Sequence, residues 1–146
     1  YLNVYGPRQP FQAAYMDVIM HFLNRIDAGE GPIIHGDGTQ TVDLVFVEDV
    51  ARANVMALKS DVTGTFLNVA SGVETTLTEL GELLCQVSGR KDLKPIYEPR
   101  DGMLVSRRFG CTKRAKELLG FVAAIQPKDG LAKVIDWRTQ LKAKAA

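Results

Sequence analysis

Short apolar segments typical of β-strands alternate with amphipathic segments typical of helices, and this alternation limits the fold more than any other feature of the chain. It is the pattern of an α/β protein, and it predicts a small mixed sheet with flanking helices. The predicted strands are residues 2–5, 32–35, 42–47, 65–69 and 94–97. The predicted helices are residues 18–26, 48–58, 76–87, 112–119 and 127–141.

Residues at the ends of these segments support the assignments. Thr76 and Glu79 have the spacing of a capping box, in which each side chain binds a backbone N–H near the other. Gly29 follows the first predicted helix, where a left-handed backbone favours glycine. Pro95 lacks a backbone donor, so residues 94–97 are predicted to form an edge strand.

The composition is that of one globular domain. The chain has 146 residues, of which 46% are hydrophobic and 24% are charged, so disordered and fibrous proteins are excluded. Because 18 basic residues nearly balance 17 acidic ones, we expect no nucleic-acid partner. The apolar runs are too short to span a bilayer, and we expect no membrane partner.

Cysteine and histidine give no sign of a metal or redox site. Cys85 and Cys111 lie far apart in the sequence, and His21 and His35 lack the spacing of metal ligands. We expect two buried or half-buried thiols in a cytoplasmic protein.

Several catalytic motifs of α/β proteins are missing from the sequence. It contains no Gly-x-Gly-x-x-Gly turn, Walker loop, Gly-x-Ser-x-Gly or Tyr-x-x-x-Lys. It begins at Tyr1 with residues that read as the interior of a fold. We therefore expect the chain to be a portion of a longer protein.

Five stretches carry a family resemblance. Residues 2–9 read LNVYGPRQ, residues 34–50 read IHGDGTQTVDLVFVEDV, and residues 68–72 read NVASG; residues 113–121 and 135–138 add KRAKELLGF and IDWR. In this order they resemble the N-x-Y-G-P-R, G-D-G-x-Q-x-x-D-F-V-x-V-x-D-V, N-V-G-S-G, K-A-x-x-L-L-G-[FY] and V-x-W motifs of extended short-chain dehydrogenases. That family contains the NAD-dependent epimerases and dehydratases of nucleotide sugars, and the chain is most similar to its UDP-glucose 4-epimerase-like members.

The resemblance implies the C-terminal, substrate-binding part of a Rossmann-like enzyme. Residues 1–10 would be a late strand of the NAD-binding sheet, and residues 11–146 would be the substrate-binding cap. The Gly-rich loop and the catalytic Tyr-x-x-x-Lys would lie in the N-terminal part. We therefore expect no catalytic residue, no turnover and little NAD affinity in this chain, and dimerisation only through the other part.

Two classes of function remain open at this point. The first is an NAD-dependent epimerase acting at C4 of a UDP-hexose, with a sugar-nucleotide 4,6-dehydratase or decarboxylase as the alternative within the enzymes. The second is a non-catalytic module that binds a nucleotide sugar or a protein partner. For the enzyme and for the sugar-binding module the resemblance implies a nucleotide-sugar ligand, with UDP as the expected nucleotide.

The resemblance also assigns substrate-binding residues, each with a structural alternative. Asn3 would reach the diphosphate or sugar, or else bond within its turn. The apolar residues Val18 and Ile19 would line the uracil side, although core packing explains their spacing equally well. Backbone groups of Ile34 and His35 would bind the uracil edge, or the Gly36–Gly38 stretch would only bend the chain between two strands.

Further polar residues are weaker candidates. The His35 imidazole would stack on the base or have no role, and Gln40 would reach the substrate or bond within the turn. Tyr1 matches an aromatic residue near the nicotinamide, and it is the single cofactor-binding candidate.

Val42 departs from the family pattern, which has arginine at this step. A valine cannot grip a pyrophosphate as a guanidinium does. Either another cation takes over or nucleotide-sugar binding is weakened. The candidate cations are Arg100, Arg107 and Arg108, and we expect one of them to face phosphate.

Two further pairs of adjacent residues are expected to have structural rather than catalytic roles. Adjacent residues at a helix start point in different directions, so Glu48 and Asp49 are expected to complement the helix dipole rather than share a proton. Asp136 and Trp137 read as part of a terminal helix that anchors its aromatic side chain in the core.

Overall fold

A computed structural model describes residues 1–10, 16–99 and 106–145 of the chain. The helices are α1 (Val18–Asp27), α2 (Val47–Leu58), α3 (Leu77–Val87), α4 (Lys113–Leu119) and α5 (Pro127–Ala145). The strands are β1 (Val4–Tyr5), β2 (Ile33–His35), β3 (Thr41–Asp43), β4 (Val45–Phe46), β5 (Glu74–Thr76), β6 (Ile96–Glu98) and β7 (Arg107–Arg108). The predicted α/β class is confirmed.

The strands of the described residues form three small sheets. β1 pairs with β4 in parallel, and β2 pairs with β6 in parallel. β3 lies in the middle of the third sheet, antiparallel to β5 and parallel to β7. The third sheet is therefore mixed, as predicted.

Leu44 divides one predicted strand into two. Residues 41–43 belong to the mixed sheet and residues 45–46 pair with β1, so a single residue separates two sheets. Inward and outward side chains do not alternate as in a half-buried strand here, because Asp43, Leu44, Val45 and Phe46 are all buried. α2 then begins immediately, with Phe46 as its N-cap.

Local end signals act as predicted. The Thr76 hydroxyl accepts a hydrogen bond from the backbone of Glu79, and the Glu79 carboxylate accepts one from the backbone of Thr76. Gly29 follows α1 with a left-handed φ of 81°. Pro95 directly precedes β6, which pairs only with β2 among the described strands.

The predicted strand over residues 65–69 is wrong. The segment has no strand structure, and the backbone N–H of Leu2, two residues before β1, donates a hydrogen bond to its Val69 carbonyl. Residues that favour strands do not form one by themselves, because a strand also needs a neighbouring strand to pair with. Conversely, β5 and β7 were not predicted, because each depends on pairing with β3.

The main core joins α1, α3, α5 and the β1–β4 sheet, with Tyr5, Phe46, Leu80 and Leu131 fully or nearly fully buried. The Tyr5 and Phe46 rings meet edge to face, with centroids 5.3 Å apart. Trp137 packs against this cluster, as predicted. Among the described residues, no helix has the length and apolar character needed to cross a membrane.

The thiols differ from the expectation. Cys85 is buried, and burial raises its pKa, but Cys111 is exposed rather than buried or half-buried. Both are free thiols.

A buried arginine fixes α1 against α5. The Arg138 guanidinium, 6% exposed as a residue, donates to the Asp27 carboxylate at 2.6 and 3.0 Å and to the amide oxygen of Asn24. Lys142 adds a third cationic contact to Asp27 at 2.5 Å. The last helix therefore determines where α1 lies.

Candidate functional site

Three separate segments of the chain meet at Asp43, the last residue of β3. Its carboxylate is fully buried and accepts hydrogen bonds from the backbone and hydroxyl of Ser71, at 2.7 and 2.6 Å, and from the backbone of Gly72 at 3.0 Å. Its backbone carbonyl accepts a hydrogen bond from the Asn3 side-chain amide at 2.9 Å. We call Asn3, Asp43, Ser71 and Gly72 the Asp43 junction.

Asn3 lies at the edge of this junction with an unusual backbone. Its φ is +36°, in the left-handed region that asparagine tolerates better than most residues. One N–H of its side-chain amide donates to the Asp43 carbonyl on β3 rather than to its own turn. Tyr1, two residues earlier, is 68% exposed, and its hydroxyl donates to the side-chain oxygen of Asn54 at 2.7 Å.

A cleft of about 450 Å³ lies between α1 and β2. Val18, His21 and Arg25 line it from α1, and Ile33 and His35 line it from β2. Of the predicted pocket residues, Val18 and His35 therefore face the cleft. Ile19 and Ile34 are each 1% exposed, and their side chains lie in the main core instead.

The register of β2 shows which backbone groups face this cleft. The carbonyl of Pro32 accepts from Ile96, and the N–H of Gly36 donates to Glu98, so the even-numbered residues turn their backbone groups toward β6. In a strand the intervening residues point the other way. Ile33 and His35, rather than Ile34 and His35, thus present backbone groups to the cleft, and the spacing of two could have identified this pair.

Contacts of its own residues stabilise the turn that follows β2. The Gln40 amide donates to the carbonyl of His35 at 3.0 Å, which is the structural alternative foreseen for Gln40. The side-chain carbonyl oxygen of Gln40 is buried and has no hydrogen-bond partner among the described residues. Gly38 has φ +78°, and a Cβ there would lie 2.2 Å from the Thr78 hydroxyl, so the turn requires glycine at this position.

The His35 side chain lies at the surface of the cleft. It is 52% exposed, and its Nδ1 lies 3.8 Å from the Glu98 carboxylate on β6.

Two candidate arginines on β7 have different surroundings. Arg107 pairs with Glu74 through two guanidinium nitrogens and lies 5.0 Å from the centre of the Phe109 ring. This pairing lowers the pKa of Glu74 and raises that of Arg107. Arg108 is exposed, and no side chain of the described residues forms a hydrogen bond or ion pair with it.

Val42 and Arg108 are direct neighbours across the β3–β7 pair. Residues paired in this way project from the same face of a sheet. A guanidinium therefore stands beside the position at which the family pattern has its arginine. Arg100, the third candidate, lies outside the described residues.

The second buried carboxylate belongs to Asp49 at the start of α2. It is 2% exposed and accepts hydrogen bonds from the backbones of Ala124 and Ile125 and from Arg52 at 2.6 Å. Desolvation acts to raise its pKa, but these hydrogen bonds prevail and hold the pKa below its usual range. Glu48 instead pairs with Lys133 at 2.8 Å, so the two acids do not share a proton.

Comparison with known proteins agrees with this geometry. Residues 1–70 match the NAD dependent epimerase/dehydratase family. The chain is related to that family. It is 38% identical over 136 residues to the UDP-glucose 4-epimerase of Mycolicibacterium smegmatis, covering 92% of this chain and 42% of that protein. It is 26% identical over 149 residues to the UDP-N-acetyl-alpha-D-glucosaminuronate decarboxylase of Bacillus cytotoxicus, covering 97% of this chain and 46% of that protein.

Among solved structures, the fold matches a UDP-glucose 4-epimerase of Thermotoga maritima determined with UDP-glucose. The TM-score is 0.87 at 32% identity, over 97% of this chain and 45% of the other. The chain thus spans less than half the length of these epimerase-family relatives.

The described residues do not fit the NAD of the epimerase family. A dinucleotide pyrophosphate is held by a glycine-rich turn between a strand and a helix N-terminus. Here α2 follows β4 with no intervening residue, and its first turn carries the carboxylates of Glu48 and Asp49. The N-termini of α1 and α3 are capped by Asp17 and Thr76.

Proposed function

We propose that this chain forms the nucleotide-sugar-binding part of an NAD-dependent epimerase that acts on a UDP-hexose. The observation that carries the proposal is the cleft between α1 and β2, which combines an apolar wall with unpaired strand backbone. The similarity to an epimerase determined with UDP-glucose supports the same conclusion.

The cleft suits a pyrimidine nucleoside. Val18 and Ile33 supply apolar contacts, and the outward backbone groups of Ile33 and His35 can pair with the polar edge of a base. Because Gln40 already binds the carbonyl of His35, the groups left for the base are the N–H of His35 and the carbonyl of Ile33. The His35 imidazole can stack on the ring.

The diphosphate is proposed to meet Asn3 and Arg108. Asn3 has one N–H bonded to β3, so its second N–H and its oxygen remain for a ligand. Arg108 is favoured over Arg107, whose guanidinium is already paired with Glu74. Arg108 would thereby supply the charge that Val42 lacks.

The chemistry of the reaction is proposed to come from residues outside this chain. β1 is then a late strand of the NAD-binding sheet, which agrees with its 38% exposed Val4 and with its pairing to β4 at one edge. The chain contributes binding and orientation of the substrate, and we propose that it neither turns over substrate nor binds NAD by itself. NAD, when bound in the complete protein, supplies the transient hydride acceptor of an epimerase.

A decarboxylase is the second candidate, because the relative from Bacillus cytotoxicus is named as one. A decarboxylase would bind the nucleoside in the same cleft and would act on a different sugar from the epimerase. A non-catalytic nucleotide-sugar module is the third possibility, since no proposed catalytic residue lies in the chain.

The test uses the complete gene product that carries this sequence. Val18→Arg places a bulky charged side chain in the cleft, and we expect it to weaken UDP binding at least about tenfold by calorimetry. Leu118→Arg, at a 48% exposed position of α4, is the matched control and should leave affinity unchanged. Equal affinities in both variants would remove the cleft from the proposal.

Activity measurements on the same protein distinguish the candidates. Interconversion of UDP-glucose and UDP-galactose supports the epimerase, release of carbon dioxide from a UDP-uronic acid supports the decarboxylase, and UDP binding without turnover supports the module.

A further inference from the structure

The polar side chains that line the α1–β2 cleft differ in how far they are engaged within the protein. Arg25 donates to the carbonyl of Gly31 at 2.7 Å and pairs with Glu30 at 2.9 Å. The Asn24 amide donates to the sulfur of Met16, and its oxygen accepts from Arg138. These two side chains support the wall of the cleft and have little capacity left for a ligand.

The two histidines of the cleft are the less engaged side chains, and His21 is the one that forms no ion pair among the described residues. It lines the same cleft and is exposed, and its imidazole has no hydrogen-bond or ion-pair partner among the described residues. Asp17, the N-cap of α1, interacts electrostatically with His21, and its two carboxylate oxygens accept from Met20 and Gln9. Arg25 follows it by one turn on α1, and His35 and Glu98 are the titratable groups across the cleft.

The position of His21 along α1 places it beside the apolar floor of the cleft. Val18 lies three residues before it and Phe22 one residue after it, and both line the same space. Side chains three and four residues apart share a helix face, so Val18, His21 and Arg25 form one row. The candidate phosphate contacts Asn3 and Arg108 lie on other elements, whereas this row shares the cleft with Ile33 and His35, whose backbone groups are proposed to bind the base.

We propose that His21 is a hydrogen-bonding contact for the nucleoside part of the ligand, and a specificity-determining residue of the cleft. This inference rests on the proposed function, because it assumes that the cleft takes a nucleoside. A base or ribose that leaves water needs a partner for each polar group it buries, and an imidazole can donate with one nitrogen and accept with the other.

The experiment compares uridine and UDP as ligands of the complete gene product by competition with a fluorescent UDP derivative. We expect His21→Ala to weaken both ligands by the same factor, about fivefold, as the loss of one hydrogen bond implies. His21→Gln, which keeps a donor and an acceptor, should recover part of this loss. Gln86→Ala removes an exposed polar side chain from α3 and is the matched control.

Each outcome decides the inference. A change of less than about twofold in His21→Ala, or a loss confined to UDP, overturns the nucleoside contact. If Val18→Arg abolishes UDP binding while both His21 variants bind as the wild type does, the proposed function stands and only the role of His21 fails. A wild-type protein that binds neither uridine nor UDP overturns both.

Discussion

The Asp43 junction and the α1–β2 cleft are both polar regions, but their polar groups are engaged in opposite ways. At the junction a fully buried carboxylate is satisfied by three hydrogen bonds, all from one short loop. In the cleft His21 and His35 are exposed, and within the part of the chain that the structure describes their side chains have no close hydrogen-bond partner. Polar groups whose hydrogen bonds are made within the protein stabilise the fold, and polar groups with hydrogen-bonding capacity left over are available for a ligand.

The elements that form the walls of the cleft are nevertheless anchored by contacts on their other sides. Arg138 fixes α1 against α5, and β6 and Gln40 hold β2 and the turn that follows it. A binding site performs best when its contact groups are free but the elements that carry them are fixed.

The largest effect is expected at the junction. Asp43→Ala removes the acceptor of three hydrogen bonds from Ser71 and Gly72, and a hydrogen bond to a charged group contributes about 1.5–3 kcal/mol, so we expect a loss of roughly 3 kcal/mol or more in the free energy of unfolding. Urea denaturation measures this as a lower midpoint at unchanged slope. His35→Ala, in the cleft, is the control and should change stability by less than about 0.5 kcal/mol. Similar losses in both variants would contradict the distinction between the two regions.

A smaller and pH-dependent effect is expected at Asp49. Its pKa in the folded protein is below the unfolded value of about 3.9, so the ionised carboxylate stabilises the fold above that value. This stabilisation is lost as the pH falls through the folded pKa. Asp49→Asn should therefore be less stable than the wild type by about 2 kcal/mol at pH 7, with the difference shrinking on acidification below about pH 5. A difference that stays constant with pH would show that the charge of Asp49 is not the cause.

The smallest effect contrasts two adjacent residues. Arg107 is paired with Glu74, whereas Arg108 has no side-chain partner among the described residues, so the distinction between engaged and available groups predicts different results within one strand. We expect Arg108→Ala to weaken UDP-sugar binding about fivefold to tenfold, and Arg107→Ala to weaken it less than about twofold. Calorimetry with UDP and with uridine tests whether Arg108 contacts phosphate, because the loss of a phosphate contact weakens the binding of UDP and not that of uridine. A larger loss in Arg107→Ala would reverse the assignment.

Much of the fold could be predicted because the helices carry their own signals. The apolar face of α1, the capping box of α3 and the proline that opens α5 are local, and each helix lies within a few residues of its predicted bounds. Short strands carry no such signal. β7 consists of two arginines, and nothing in them indicates a strand until β3 lies alongside.

The candidate site could be predicted only in outline. Val18 and His35 were assigned to a pocket that the structure forms, but Ile19 and Ile34 point into the core because strand and helix periodicity turns them away. Nothing near Asp43 in the sequence indicates that it is buried, because its carboxylate accepts hydrogen bonds from Ser71 and Gly72, 28 and 29 residues later in the chain. His21 was considered only as a metal ligand, and its place in the cleft follows from packing of α1 against β2.

The one-residue interval at Leu44 matters for anyone who wishes to exchange substrate specificity between relatives by making chimeras. Because the backbone belongs to one sheet at residue 43 and to another at residue 45, a crossover there would place the junction of the two parents inside the step between two sheets. The loop near Gly64, where an added Cβ would meet no atom within 4 Å, is a more permissive place to join two parents. Recombination between epimerase relatives should therefore keep residues 41–58 from a single parent.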